Sequence, residues 1–142
     1  LSSKIILSES DLIVVNLRQD PDQIQEFLNQ YTSIQEKAVY LIGSYQPEST
    51  WNIGRICKEF KIPRERTGII PFNLELADAM SKGHLLQFLN RNYYKASDFE
   101  NEYLIRYIKK AGRMIRKNLI RLRREEMAVR AEFPGIPCTP LC

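Results

Sequence analysis

The sequence predicts an α/β domain: a parallel sheet of about three strands, sandwiched between layers of helices. Three observations carry this. Three short β-branched runs, DLIVVNL (11–17), AVYLI (38–42) and GII (68–70), show no strict alternation of apolar and polar residues, as expected of strands covered on both faces. Helix-length segments with apolar stripes separate the runs, which calls for crossover connections and parallel strands. Turn formers close each run: Asp20-Pro21, Gly43-Ser44 and Pro71.

Taken in order, residues 3–8 read as the tail of a helix. After the first strand, Asp20 can cap a helix whose first position is Pro21, where a missing N–H does no harm. Ile24, Phe27, Leu28 and Tyr31 then fall at i, i+3, i+4 and i+7 on one face. The second strand leads through a loop at 45–49 to a helix with Ile53, Ile56, Cys57 and Phe60 on its apolar side. Ser49 or Thr50 is its expected cap, and Pro63 its expected end. Behind the third strand, Asn73 can cap a helix over 74–82, and Gly83 can close it in the left-handed conformation. A short helix or turn at 85–89 and an irregular stretch at 90–96 follow. The last helix opens on a capping box, Ser97-x-x-Glu100, and carries Leu104, Ile108, Ile115, Leu119 and Leu122 as its stripe, with Ala111 and Gly112 between. It is expected to reach about Arg124 or beyond. The domain is placed at 1–126, with 127–142 an irregular tail rich in proline (Pro134, Pro137, Pro140).

Composition narrows the function. The chain has 142 residues, 44% hydrophobic and 27% charged, enough for one core. No apolar run approaches the roughly 20 residues that span a bilayer. Three cysteines do not make a disulfide framework. Cys57 reads as a small buried hydrophobe, and Cys138 and Cys142 lack partners at metal-ligand spacing, so no metal site and no disulfide partner is expected. His84, the one histidine, reads as a surface residue. The chain opens on Leu1-Ser2-Ser3 without a methionine or a signal peptide, and three strands is few for such a sheet. It is expected to be the later part of a longer, cytoplasmic protein.

The net charge of +4 is unevenly spread. Arg106, Lys109, Lys110, Arg113, Arg116, Lys117, Arg121, Arg123 and Arg124 crowd one segment, and the remainder is acidic. Three readings of this helix stand: a solvated charged face, nonspecific DNA binding through phosphates, or an amphipathic membrane-facing end. Lys109, Lys110, Arg113, Arg116 and Lys117 are the contact candidates in the last two.

In open parallel sheets, ligands bind beyond the carboxyl ends of the strands. Those ends are 16–20, 43–50 and 71–74. The chain has no GxxxxGK[ST], no GxGxxG, no HExxH and no Ser/His/Asp set, so no catalytic residue is expected in it. The runs DLIVVNL (11–17), KAVYLIGSY (37–45) and GIIPFNLELADAMSKG (68–83), in this order, resemble the C-terminal half of ParA/MinD-type ATPases with deviant Walker A motifs. The likeness covers about residues 1–125, and its most specific piece is Ile70-Pro71-Phe72-Asn73 with Ala79 and Gly83. It implies a partial P-loop NTPase fold. It also implies a parent protein that binds ATP and Mg²⁺, forms a homodimer across the nucleotide face, and holds and releases DNA or a membrane surface. The Walker motifs would lie upstream, so this segment is not expected to hydrolyse ATP alone.

By the resemblance, Gly43, Ser44, Pro71, Phe72 and Asn73 would wall the base and ribose. Gly43-Ser44 departs from the family, which often places a base-reading Asn there. From the residues alone, Pro71 also reads as a strand stop, Phe72 as core and Asn73 as a cap. The rival reading is a non-catalytic α/β interaction module whose basic helix binds nucleic acid or an acidic membrane surface. The Tyr93-Tyr94 pair resembles the tyrosine-kinase relatives only faintly, since those carry their clusters at the extreme C-terminus.

Overall fold

The computed structural model describes residues 3–132. The elements are α1 (Ser3–Glu9), β1 (Ile13–Leu17), α2 (Pro21–Gln30), β2 (Ala38–Tyr45), α3 (Ile53–Phe60), β3 (Thr67–Pro71), α4 (Leu74–Ser81), α5 (Leu85–Asn92) and α6 (Phe99–Glu132). Short 3-10 segments, Thr32–Lys37 and Arg64–Arg66, lead into β2 and β3. The strands form one parallel sheet in the order β1-β2-β3, with Ile13 opposite Ala38 and Tyr40 opposite Thr67.

Local chemistry sets several element ends. The Asp20 carboxylate accepts from the amides of Asp22 and Gln23, with Pro21 opening α2. Asn73 Oδ1 accepts from the Leu76 amide at 2.8 Å, and Gly83 turns left-handed (φ 72°) after α4. Two caps fall later than the sequence pattern suggested. Asn52, not Ser49 or Thr50, caps α3 by accepting from the Arg55 amide at 3.0 Å. Asp98, not Ser97, starts α6 by accepting from the Asn101 amide at 2.8 Å. The Ser97 hydroxyl is engaged by Asn92 and Asn101 instead. α3 ends at a left-handed Lys61, ahead of Pro63. α5 runs to Asn92, through part of the stretch expected to be irregular. α6 also exceeds its expected length: residues 127–132, assigned to the irregular tail, are helical. The rest of that tail, with Cys138 and Cys142, lies outside the described residues.

Two helical layers enclose most of the sheet. Ile24, Phe27 and Leu28 of α2 and Ile53, Ile56 and Phe60 of α3 pack on Val15, Leu17, Tyr40, Ile42 and Ile69. The opposite face of β3 meets α4, α5 and α6, where Ile70 joins Ala79, Phe88, Leu104 and Ile108. Both crossover helices therefore share one layer, and α4, α5 and α6 form the other.

Gly68 sets the approach of α6. A Cβ there would lie 3.1 Å from Leu41 Cδ2, 3.3 Å from Met114 Cε and 3.4 Å from Ala111 Cβ. A methyl asks its neighbours to shift by tenths of an ångström, whereas two further branch carbons have no free volume. Gly68→Val is expected to cost roughly 2 kcal/mol, as overpacking of a filled interface does. A chemical denaturation curve with an unchanged midpoint would refute this.

One strand differs from its sequence pattern. β1 alternates: Val15 and Leu17 are buried, while Val14 and Asn16 are exposed. The expectation of cover on both faces fails for β1 because α6 crosses β2 and β3 and does not reach it. The Asp11-Leu12 start of that run lies outside the strand.

Candidate functional site

The carboxyl edge of the sheet is built from the ends of its three strands. β2 does not stop at Gly43 but continues to Tyr45, with its register to β3 broken between Ile42 and Tyr45. Ser44 sits inside that irregularity with φ 49°. Left-handed backbone costs a non-glycine residue on the order of 1 kcal/mol, and such residues gather at functional sites. The turn leaves Ser44 exposed beside Gly43, where an added Cβ would meet only the Leu17 carbonyl at 4.0 Å.

Pro71 pairs with Tyr45, and the Phe72 amide donates to the Tyr45 carbonyl at 2.9 Å. Gly43, Ser44, Pro71 and Phe72 are thus brought to one edge by register. Pro71 is buried. Phe72 is 49% exposed, so it is not the core residue its composition allowed. Asn73 belongs to the same turn but faces inward: Oδ1 caps α4 and Nδ2 donates to Asn101 Oδ1 at 2.9 Å. Both ends of its amide are therefore occupied within the protein.

Three residues that shape this edge gave no sequence signal. Gln19 bridges from the end of β1 to the loop after β2. Its Nε2 donates to the carbonyls of Gln46 (2.9 Å) and Trp51 (3.1 Å), and its Oε1 accepts from the Gln46 amide (2.8 Å). The Tyr45 hydroxyl accepts from the Ile53 amide at 3.0 Å and seats the start of α3. Asn101, buried in the first turn of α6, donates to Glu75 Oε2 and Ser97 Oγ, both within 2.9 Å. Glu75 in turn pairs with Arg91. Residues so far apart in the chain leave no local pattern. Nearby, the Tyr103 and Tyr107 rings of α6 lie with centroids 4.9 Å apart and planes tilted by 59°. Burial, then the hydrogen bond with Tyr107, pushes the Tyr103 phenol above its ordinary value.

The edge therefore offers a half-exposed aromatic ring, a hydroxyl and open backbone. It offers no run of glycine amides for phosphates. Among the described residues no three His, Cys, Asp or Glu side chains come together to hold a metal ion.

The second element is α6. At 100° per residue, Arg106, Lys110, Arg113, Lys117 and Arg124 line one side, with Lys109 and Arg116 on its flank. The stripe spans about 27 Å from Arg106 to Arg124. Leu104, Ala111 and Asn118 are buried on the opposite side, where Ile108, Ile115, Leu119 and Leu122 are half-buried, and Ile105 is buried at the edge beside Arg116. Asn118 ties that side down by donating to the Glu65 and Met114 carbonyls, at 3.0 and 2.9 Å. Glu102 and Glu125 take up Arg106 (3.7 Å) and Arg121 (3.0 Å). Among the described residues, Lys109, Lys110, Arg113, Arg116 and Lys117 have no acidic partner. Lys109 and Lys110 instead lie over the rings of Tyr93 (4.5 Å) and Tyr107 (5.5 Å).

His84 is exposed at the start of α5. Cys57 is half-buried, with its thiol directed at the Thr67 hydroxyl at 3.8 Å. No helix among the described residues is long and apolar enough to cross a membrane. No family model, curated protein or solved structure matches this chain.

Proposed function

We propose that this chain is the base-side, C-terminal portion of a ParA/MinD-like ATPase. In this reading its carboxyl edge walls the adenine and ribose of ATP, and α6 holds nucleic acid by its phosphates. The observation that carries the first half is a half-exposed Phe72 and a left-handed Ser44 on the same carboxyl edge of a parallel sheet. Phe72 stacks the base, the Ser44 hydroxyl and the Gly43 backbone orient the sugar, and Pro71, itself buried, backs the site by ending β3 where Phe72 emerges. Asn73 acts one step back, fixing the turn that presents Phe72. Bound ATP-Mg²⁺ would supply the chemical step to the parent protein. The residues here bind and orient.

The second half rests on the basic stripe. Among the described residues Lys109, Lys110, Arg113, Arg116 and Lys117 have no acidic partner, and opposite them Leu104 and Ile108 pack with Ile70 of the sheet. A helix that inserts in a membrane needs that apolar side available. Ile115, Leu119 and Leu122 are half-buried, which favours a phosphate backbone over a lipid surface.

Adenosine, which has no phosphate, tests the edge directly. Titrating it against the isotope-labelled chain is expected to shift the amides of Gly43, Ser44 and Phe72 while leaving the amino end of the sheet unmoved. Phe72→Ala is expected to weaken binding at least five-fold, since stacking on one ring is worth about 1–3 kcal/mol. Shifts absent from these residues would discard the nucleotide reading and leave an α/β interaction module with a basic helix.

A further inference from the structure

Tyr93 and Tyr94 are large rings that the core does not use. Tyr94 is 91% exposed and Tyr93 is 40% exposed, with centroids 5.0 Å apart and planes at 82°. The pair is not isolated. Tyr93 caps the carboxyl end of α5 through its amide to the Leu89 carbonyl (2.9 Å), which fixes its backbone. The Lys109 ammonium lies 4.5 Å over its ring, which joins the pair to the flank of α6. From Lys109 the flank continues to Arg113 and Arg116, at i+4 and i+7. This short row of cations rises about 10 Å away from the rings.

An aromatic platform at the head of a row of cations is the arrangement that binds single strands: phosphates follow the charges and a base stacks on the ring. Within a duplex each base face is covered by its neighbour, so away from the two ends an exposed ring finds nothing to stack on. Cations alone do not discriminate in this way, because both forms carry phosphates.

We propose that Tyr94, braced by Tyr93, stacks an unpaired base of a nucleic-acid strand whose phosphates lie along Lys109, Arg113 and Arg116, so that this face prefers single-stranded or end-frayed nucleic acid to intact duplex. The proposal rests on the reading of α6 as a phosphate-binding helix and adds the class of nucleic acid. A tyrosine at a lipid headgroup boundary is the competing occupant, but on the apolar side such a helix would insert, Leu104 and Ala111 are buried and Ile108, Ile115, Leu119 and Leu122 are half-buried.

Fluorescence anisotropy decides it. A labelled single strand of about a dozen nucleotides and a blunt duplex of the same sequence are titrated with the chain at one salt concentration. The single strand is expected to bind at least five-fold more tightly. Tyr94→Ala is expected to weaken the single strand about ten-fold and change the duplex less than two-fold. Tyr94→Phe keeps the ring and is expected to keep the preference. Because Tyr94 touches no core residue cluster, these variants should retain the wild-type circular dichroism spectrum. Equal binding of both forms, or a Tyr94→Ala loss shared by both, overturns the proposal. If Tyr94→Ala has no effect while Arg113→Ala with Arg116→Ala abolishes both, the phosphate-binding helix stands and the stacking platform falls. Binding to neither oligonucleotide, with or without binding to vesicles of anionic phospholipid, overturns both.

Discussion

Replacing Asn101 with leucine is expected to lower the free energy of unfolding by about 3 kcal/mol, a large loss for a polar residue. Asn101 is 1% exposed and completes a network that joins α4 to α6. Its Oδ1 accepts from Asn73 Nδ2, and its own Nδ2 serves Glu75 and Ser97. Leucine has a similar volume, so no large cavity opens. The cost comes from what is left behind. Asn73 is itself buried, and its amide nitrogen would lose its partner without gaining water, which costs about 1–3 kcal/mol. Glu75 is about half exposed on its side chain and can turn to solvent, so its share is smaller. The effect should therefore be shared with Asn73: the double variant Asn73→Ala, Asn101→Leu should cost at least about 1 kcal/mol less than the two singles summed, as coupled partners do. Urea denaturation of the four proteins measures this. A single-variant loss below about 0.5 kcal/mol would mean that the network is solvated and does not bind α6 to the β3–α4 turn.

That network also marks the limit of what the sequence disclosed. The β-α alternation, the parallel sheet, the cap at Asn73 and the turn at Gly83 are local, and each follows from a few adjacent residues. The basic stripe and its apolar reverse follow from helical spacing. The cover over β1 does not. Ile13-Val14-Val15 reads the same whether or not a helix lies above it, and only the path of α6 over β2 and β3 leaves Val14 bare. The α6 cap moved by one residue for a related reason. Ser97 has the right type and spacing for a capping box, but tertiary bonds to Asn92 and Asn101 claim its hydroxyl, and Asp98 takes the role. At the candidate ligand edge, Pro71, Phe72 and Ser44 could be nominated by position, whereas the exposure of Phe72 and the left-handed turn at Ser44 depend on how β2 slips against β3. Gln19, which holds the neighbouring loop, bonds to residues 27 and 32 positions away and carries no motif at all.

Replacing Arg113, Arg116 and Lys117 together with alanine is expected to lower affinity for duplex DNA by two to three powers of ten near 0.1 M salt. Each phosphate contact contributes about −0.9 to the slope of log K against log salt. Three fewer contacts should flatten that slope by about 2.7, and at 0.1 M a change of that size amounts to roughly 500-fold. The helix itself should survive. All three residues are exposed, none holds an acid or a ring, and alanine is the strongest helix former. A plain loss of net charge is excluded by a control in which Lys58→Ala and Lys82→Ala remove exposed charge elsewhere. At this salt concentration, charges more than about 10 Å from the bound strand are screened, so the control should change affinity only slightly. Binding that persists at high salt in the wild type, or a slope unchanged in the triple variant, would reduce the stripe to a solvated face. A flattened slope confined to the triple variant would identify this surface of α6 as the contact. The reverse side explains why the helix is rigid enough to present it: Asn118 fastens it to the Arg64–Arg66 segment, and Leu104 and Ile108 fasten it to β3, so binding need not order it, and the charges meet the phosphates without that entropic cost.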